Sequence, residues 1–308
     1  MHIEILGTES LGVRGLSCVV RVKDRCVVID PGAALGYRRF GLLPHPVQVA
    51  AGEDARRSIL AALGRATDVV VSHLHGDHMP LADANPFQLS LAQAGGALRK
   101  PRLWVKGLGG ETPHIAARRD ALCDLVDREL PPCQGQSHGP MRFSGLMPHG
   151  VDRVRMGTVM MTRIEDDGEV FVHASDIQFL DDEPVSQLLD WAPTVVLASG
   201  PPVYRLAPRD VDAALARVRT LAEAVPCCIL DHHLPRSRDG VDLLDMLQDE
   251  TGGRVRCAAD FMGLPRRFLE ADRQDLYARY PVEPDWHERY ALGQATTEVY
   301  RNCEPGRG

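Results

Sequence analysis

Six consecutive residues constrain this chain more than any other stretch: His73-Leu74-His75-Gly76-Asp77-His78. They follow directly on Asp68-Val69-Val70-Val71-Ser72, a short β-branched run of the kind buried inside a sheet. Imidazole suits zinc, iron and nickel, and a nearby carboxylate adds a charged oxygen, so a loop of three His and one Asp can serve two metal ions at once. Gly76 lets such a loop fold tightly. A solvated polar turn has no reason to gather three histidines, so the fold has to present this loop where a strand ends.

The surrounding pattern is one of short strands and interspersed helices. β-like runs occur at 3–6, 18–22 and 26–29, and Asp24-Arg25 between the last two predicts a tight hairpin. Asp30-Pro31-Gly32 ends the third run, because Pro cannot donate to a ladder and Gly tolerates a sharp turn. Apolar residues at 55, 59, 60 and 63 predict a helix over 53–63 that Gly64 stops. The same grammar returns at 159–164, a turn at Asp166-Asp167-Gly168, then 170–173, 194–197 and 227–230. Residues 211, 214, 215, 218, 221 and 222 are apolar at helical spacing between the last two runs.

Two strand-rich halves with helices predict an α/β (α+β) fold, a four-layer αββα sandwich, as one domain over residues 1–308. The stretches 83–100 and 131–150 read as loops or lids over the mouth of a site. The tail from about residue 264, with Tyr277, Tyr280, Trp286 and Tyr290, reads as helices packed outside, with Pro305-Gly306-Arg307-Gly308 frayed.

Composition narrows the functional classes. Hydrophobic residues at 44% and charged residues at 25% describe a folded globular chain and not a disordered one. A formal net charge of -7 argues against a duplex nucleic acid partner, whose phosphates would need many Lys and Arg, though a local basic pocket is compatible with it. The sequence holds no run of eighteen apolar residues, and Met1-His2-Ile3-Glu4-Ile5 lacks the features of a signal peptide, so the expectation is a cytoplasmic protein with no membrane partner. Eight cysteines without a CxxC pair are expected to be reduced thiols, with Cys227 and Cys228 small core residues of a buried strand.

The loop from His73 to His78 at a strand end resembles the signature of the metallo-β-lactamase superfamily. Later residues follow that family's order: an upstream Asp30, then the loop, then His149 in Met147-Pro148-His149-Gly150, Asp176 in His173-Ala174-Ser175-Asp176, and His232 or His233 in Leu230-Asp231-His232-His233. More narrowly, Glu9-Ser10-Leu11-Gly12-Val13-Arg14, Asp30-Pro31-Gly32, Ser199-Gly200-Pro201-Pro202 and Asp231-His232-His233-Leu234 resemble a set of predicted metal-dependent hydrolases within it, over roughly residues 1 to 240. The resemblance implies that His73, His75 and His149 hold a first ion, that Asp77, His78 and the terminal His hold a second, and that Asp176 bridges them. Consecutive residues of an extended segment point to opposite sides, so one of His232 and His233 is the expected ligand and the other is left to orient it; the choice between them stays open, with a lean to His233. The ions implied are two divalent transition metals, zinc first, with manganese or iron as alternatives.

Such a pair holds a water, lowers its pKa and presents it as hydroxide to a carbonyl or phosphorus, with Asp77 orienting it, which makes His73, His75, Asp77 and His78 the expected catalytic core. Arg14, Arg38, Arg39, Lys106, Tyr204, Arg205 and Arg236 lie in loops near the strand ends and favour a small anionic substrate: a phosphodiester, lactone, ester or amide. A homo-oligomer remains open. Two other readings stand beside hydrolysis: a metal-dependent oxidoreductase or dioxygenase, and a non-catalytic binding protein with a degenerate site. The first is weakened by His75, where the electron-transfer members of the family carry a carboxylate. The second is weakened because every expected ligand position is filled. His2, His45, His114, His138 and His287 read as surface or satisfied residues, and His173 as a structural hydrogen-bonding residue of the core.

Overall fold

The structure is a computed structural model, described over residues 1–150 and 157–303. Its first sheet runs β1 (His2–Gly7), β2 (Ser17–Val22), β3 (Arg25–Ile29), β4 (Asp68–Val71) and β5 (Arg102–Val105) in spatial order. The first three strands pair antiparallel, with Lys23-Asp24 turning the β2–β3 hairpin, and β4 and β5 continue in parallel. The second sheet follows the order β12 (Val255–Arg256), β11 (Cys227–Leu230), β10 (Val195–Ala198), β9 (Glu169–Ser175), β8 (Thr158–Asp166), β7 (Met141–Pro148), β6 (Ser137–His138). It is parallel from β12 to β9 and antiparallel beyond.

Side-chain alternation explains why the sheets stack. In the first sheet Cys18, Val20, Val27, Ile29 and Val70 point inward, while Val19, Val28, Val69 and Val71 point to the other face. In the second sheet Phe171, Leu197 and Ile229 point inward, against Val172, Val196, Cys228 and Leu230 outward. The inward sets meet in one shared middle core. The outer face of the first sheet is covered by α1 (Pro46–Leu63), α2 (Leu91–Leu98) and α3 (Pro113–Val126). That of the second is covered by α4 (Asp182–Trp191), α5 (Pro208–Ala224) and α6 (Arg238–Glu250). The result is the αββα sandwich that the sequence predicts.

After a short α7 (Ala258–Met262), the chain returns to the first half through α8 (Arg273–Arg279) and α9 (Trp286–Ala291). Trp286 and Tyr290 stack at 5.1 Å between ring centroids and pack with Tyr280 and Tyr300 on the α1 side, with Trp286 buried in the core of the first half. Residues 305–308, expected to fray, lie outside the described residues.

Parts of the two stretches expected to be loops are ordered elements instead. Within 83–100, α2 is closed by a Ser90–Gln93 capping box, with Gln93 N–H donating to Ser90 Oγ at 3.2 Å. Gly95 and Gly96 hid it, since glycine weakens a helical pattern. Within 131–150, Gly139 at φ 59° turns β6 into β7, and β7 itself carries Ser144, Gly145 and Pro148, which gave the stretch its loop-like composition. α1 also begins seven residues earlier than its apolar spacing indicated, because His45 caps it: the Val47 N–H donates to His45 Nδ1 at 3.2 Å. No helix among the described residues is long and apolar enough to cross a membrane.

Candidate metal centre

Five strands deliver polar residues to one edge of the two-sheet stack: β3 leads to Asp30, β4 to Ser72 and His73, β7 to His149, β9 to Ser175 and Asp176, and β11 to His232 and His233. The backbone turns sharply there, with Asp30 (φ 48°), Ser175 (φ 56°) and His232 (φ 122°) in the left-handed region that non-glycine residues seldom occupy. Tight loops also need glycine at two points. A Cβ on Gly76 would lie 2.5 Å from Leu81 Cδ1. One on Gly15 would lie 2.7 Å from the Asp77 carbonyl oxygen, and Gly15 adopts φ +138°.

Asp176 organises the cluster. Its Oδ1 lies 3.4 Å from His78 Nε2 and 3.4 Å from His232 Nε2. Its Oδ2 lies 3.1 Å from His149 Nε2, 3.7 Å from His73 Nε2 and 3.5 Å from His233 Nε2. His75 joins His73, His149 and Asp176 in one group whose donor atoms are within 4.8 Å of one another, and Asp77, His78 and His232 form a second such group. Asp77 Oδ2 stands 3.5 Å from His232 Nε2.

The rings are held from behind. Asp30 Oδ2 accepts from His78 Nδ1 at 2.9 Å and from the Ser72 hydroxyl at 2.6 Å, and Asp30 Oδ1 accepts from the Ser72 N–H at 2.7 Å. Ser72 Oγ and Ser175 Oγ then stand 3.1 and 3.3 Å from His73 Nδ1. A proton on Nδ1 of His73 and of His78 leaves each Nε2 lone pair facing the shared space. Both Nε2 atoms and Asp176 Oδ1 are buried without a hydrogen-bond partner among the described residues. Buried polar atoms seldom stay unsatisfied, so three converging on one space fit a cation, and a nitrogen-and-carboxylate set fits a divalent transition metal.

The electrostatics favour the neutral ring at His73, His75, His232 and His233. Burial, reinforced by His78, holds His73 well below the ordinary imidazole value; burial and His149 push His75 down to about 4. Burial and then Arg236 lower His232 well below that value and His233 to about 4. Neutral imidazole is the form that ligates a metal. His78 goes the other way, because Asp176 and Asp30 outweigh its burial. Burial would raise Asp176, but His78 and His232 hold it well below the usual carboxylate range.

The terminal histidines depart from the expected alternation. β11 ends at Leu230, and His233 adopts helical angles (φ -85°, ψ -43°) at the start of a 3-10 turn. Both rings therefore reach Asp176, 4.7 Å apart between centroids. His232 stands with Asp77 and His78; His233 faces the Asp176 oxygen nearest His73 and His149.

The candidate substrate residues separate into distinct settings. Arg236 donates to Glu9 at 2.7 Å, to the Tyr204 hydroxyl at 3.0 Å, and lies 2.9 Å from His232 Nδ1. Tyr204 Oη is 3.0 Å from His233 Nδ1. Arg14 is committed to Glu270 through Nε at 2.8 Å and through Nη2. Lys106 is buried on Glu111. Arg205 is exposed and lies over the Tyr204 ring, whereas Arg38 is exposed and donates only into its own turn, to the Gly41 carbonyl at 3.4 Å. His173 is in the core, with Nε2 2.9 Å from the Leu16 carbonyl. The supporting roles of Ser72, Ser175, Glu9 and Glu270 escaped the sequence reading; the two serines carried a signal only in flanking His73 and Asp176.

No family model matches the chain. A UPF0282 protein of Methanosarcina mazei is 45% identical over 302 residues, spanning 97% of this chain and 99% of the relative. The chain belongs to the UPF0282 family. UPF0282 proteins of Methanopyrus kandleri (33% identical, 90% of this chain and 99% of the relative) and Thermococcus gammatolerans (30%, 91% and 96%) extend the match over nearly full lengths. The αββα architecture, with the histidine loop at the end of β4, is the one expected from the sequence. Solved structures similar to this UPF0282 chain include Tm1679, a metal-dependent hydrolase of the β-lactamase superfamily (15% identical, 79% of this chain and 91% of that chain, TM-score 0.45). Another is the short form of human tRNase Z (14%, 75% and 92%, TM-score 0.41). Nothing is carried over from these likenesses, and any chemistry has to be argued from this chain's own side chains.

Proposed function

We propose that this chain is a metal-dependent hydrolase that works with two divalent transition-metal ions, zinc first, on a small negatively charged substrate. The observation that carries the reading is the Asp176 carboxylate, whose two oxygens face two different histidine groups. His73, His75 and His149 would hold one ion, Asp77, His78 and His232 the other, and Asp176 both. Position favours His232 over His233 as the last of these, because His232 Nε2 is the one beside Asp77. A bound pair of this kind supplies an activated water and positive charge for the oxyanion of the transition state.

The chain's own groups do the rest. Asp30 fixes the His78 ring and, through Ser72, the His73 ring, so the site is organised before substrate arrives. The Asp77 side chain is 21% exposed against 3% for Asp176, which leaves Asp77 able to orient a water and hold its proton at a carboxylate oxygen. Tyr204 Oη faces the same edge beside His233 and can donate to a substrate oxygen. The test is metal analysis of purified protein joined to a screen of phosphodiester, lactone, ester, thioester and amide substrates. Metal-dependent turnover of one class, removed by chelation and by Asp77→Asn, supports the reading; metal-loaded protein inert towards all of them contradicts it.

A further inference from the structure

Beside the histidine cluster lies a largely buried network of charge that does not balance. Glu270 receives Arg14, with Arg39 Nη1 at 3.7 Å and Arg273 Nη2 at 3.8 Å. Glu9 receives Arg236 at 2.7 Å and has Arg14 Nε at 4.0 Å. Two carboxylates thus face four guanidiniums, in a setting where an unpaired charge is costly.

The excess is not spread evenly. Arg14 holds Glu270 through two nitrogens, Arg236 holds Glu9, and Arg273 donates to Gln48 Oε1 at 2.9 Å and the Leu42 carbonyl at 3.0 Å. Among the described residues Arg39 has one carboxylate within 4.0 Å, Glu270 at 3.7 Å, and its Nε, like Arg273 Nη2, is buried without a hydrogen-bond partner; its guanidinium also lies 4.9 Å from the centre of the Phe40 ring. Its guanidinium lies 4.8 Å from the centre of the Tyr204 ring. The Arg205 guanidinium is 5.5 Å from the same centre. Tyr204 in turn touches His233 at the histidine cluster.

We propose that Arg39 and Arg205, gathered on the Tyr204 ring, form an anion subsite at the rim of the centre that takes a phosphate or carboxylate of the substrate distinct from the bond to be cleaved. This rests on the hydrolase reading for the word substrate, but the subsite is built from side chains that ligate nothing in the cluster. A bound anion supplies the missing counter-charge and accepts from the Arg39 fork, which suits a planar or tetrahedral oxyanion better than a lysine would. Burial pushes the Arg39 guanidinium below its ordinary value despite Glu270, in keeping with incomplete compensation. Arg14, Arg38 and Arg236 fall outside it: Arg14 and Arg236 are committed to carboxylates, although Arg236 also lies 5.9 Å from the centre of the Tyr204 ring, and Arg38 donates to the Gly41 carbonyl.

The experiment measures binding of inorganic phosphate and of malonate by calorimetry to chelator-treated protein whose fold is checked by circular dichroism, so that metal ions contribute nothing. Wild type and Arg38→Gln should bind alike. Arg39→Gln should weaken binding by about tenfold or more, Arg205→Gln less, and Arg39→Lys should restore part of it, as expected for a charge-assisted fork. Equal affinity in wild type and Arg39→Gln, an equal loss in Arg38→Gln, or binding seen only after metal is restored would each overturn the subsite. Metal content of the untreated protein separates the two readings: no metal together with Arg39-dependent binding sinks the hydrolase and leaves the subsite standing.

Discussion

Asp30 makes no contact with substrate in this account, yet it is the residue on which two of the rings depend. Asp30→Ala should lower metal affinity by roughly 10- to 100-fold, the usual loss when a ligand's hydrogen-bond acceptor is removed, read by competition with a chromophoric chelator. Unchanged affinity would show that His73 and His78 orient themselves. The two terminal histidines divide in the same measurement: His232→Ala should cost about one ion per chain while His233→Ala keeps both, and the opposite pattern would move the ligand to His233. At this scale the sequence was most legible where ligands are contiguous, as from His73 to His78. The alternation expected of the doublet does not hold because period 2 applies only inside a strand, and His232 sits past its end at φ 122°. Ser72 and Ser175 were missed since their hydrogen bond joins residues 103 positions apart.

At the scale of elements, strands were read well because β-branched runs such as 68–71 and 227–230 are short and sharply bounded, whereas helix starts depended on caps. His45 is the instructive case. Its Nδ1 accepts from the first turn of α1 while Nε2 donates to the Tyr280 carbonyl at 2.8 Å, an arrangement open only to the neutral ring. Burial lowers its pKa from 6.5. The folded value therefore lies below the unfolded one, so the stability His45 contributes is present above pH about 6.5 and is lost as the pH falls through it. His45→Asn, which keeps a capping oxygen without that titration, should flatten the thermal stability profile between pH 7 and 5. A slope as steep as that of wild type would place the acid sensitivity elsewhere.

For the whole molecule, the two sheets share one middle core and meet at one polar edge, so ions held across that edge would tie residues from both halves together. Ligand binding to the native state alone stabilises it by about 2.7 kcal/mol at a hundredfold excess over Kd, so chelation should lower the melting temperature by several degrees and zinc should restore it. A melting temperature indifferent to chelator would deny that native-state linkage. The fold was legible as a whole because strand-end histidines, alternating strands and amphipathic helices agree on one architecture; the route of the aromatic tail back to α1 was not, since nothing local in residues 264–303 names the partner face. The central claim is that Asp176 joins two metal sites, and elemental analysis of protein purified without chelators tests it most directly. Wild type should carry about two transition-metal ions per chain and Asp176→Ala fewer than about one. Wild type that holds a single ion under excess zinc or manganese, or Asp176→Ala that retains two, would contradict it.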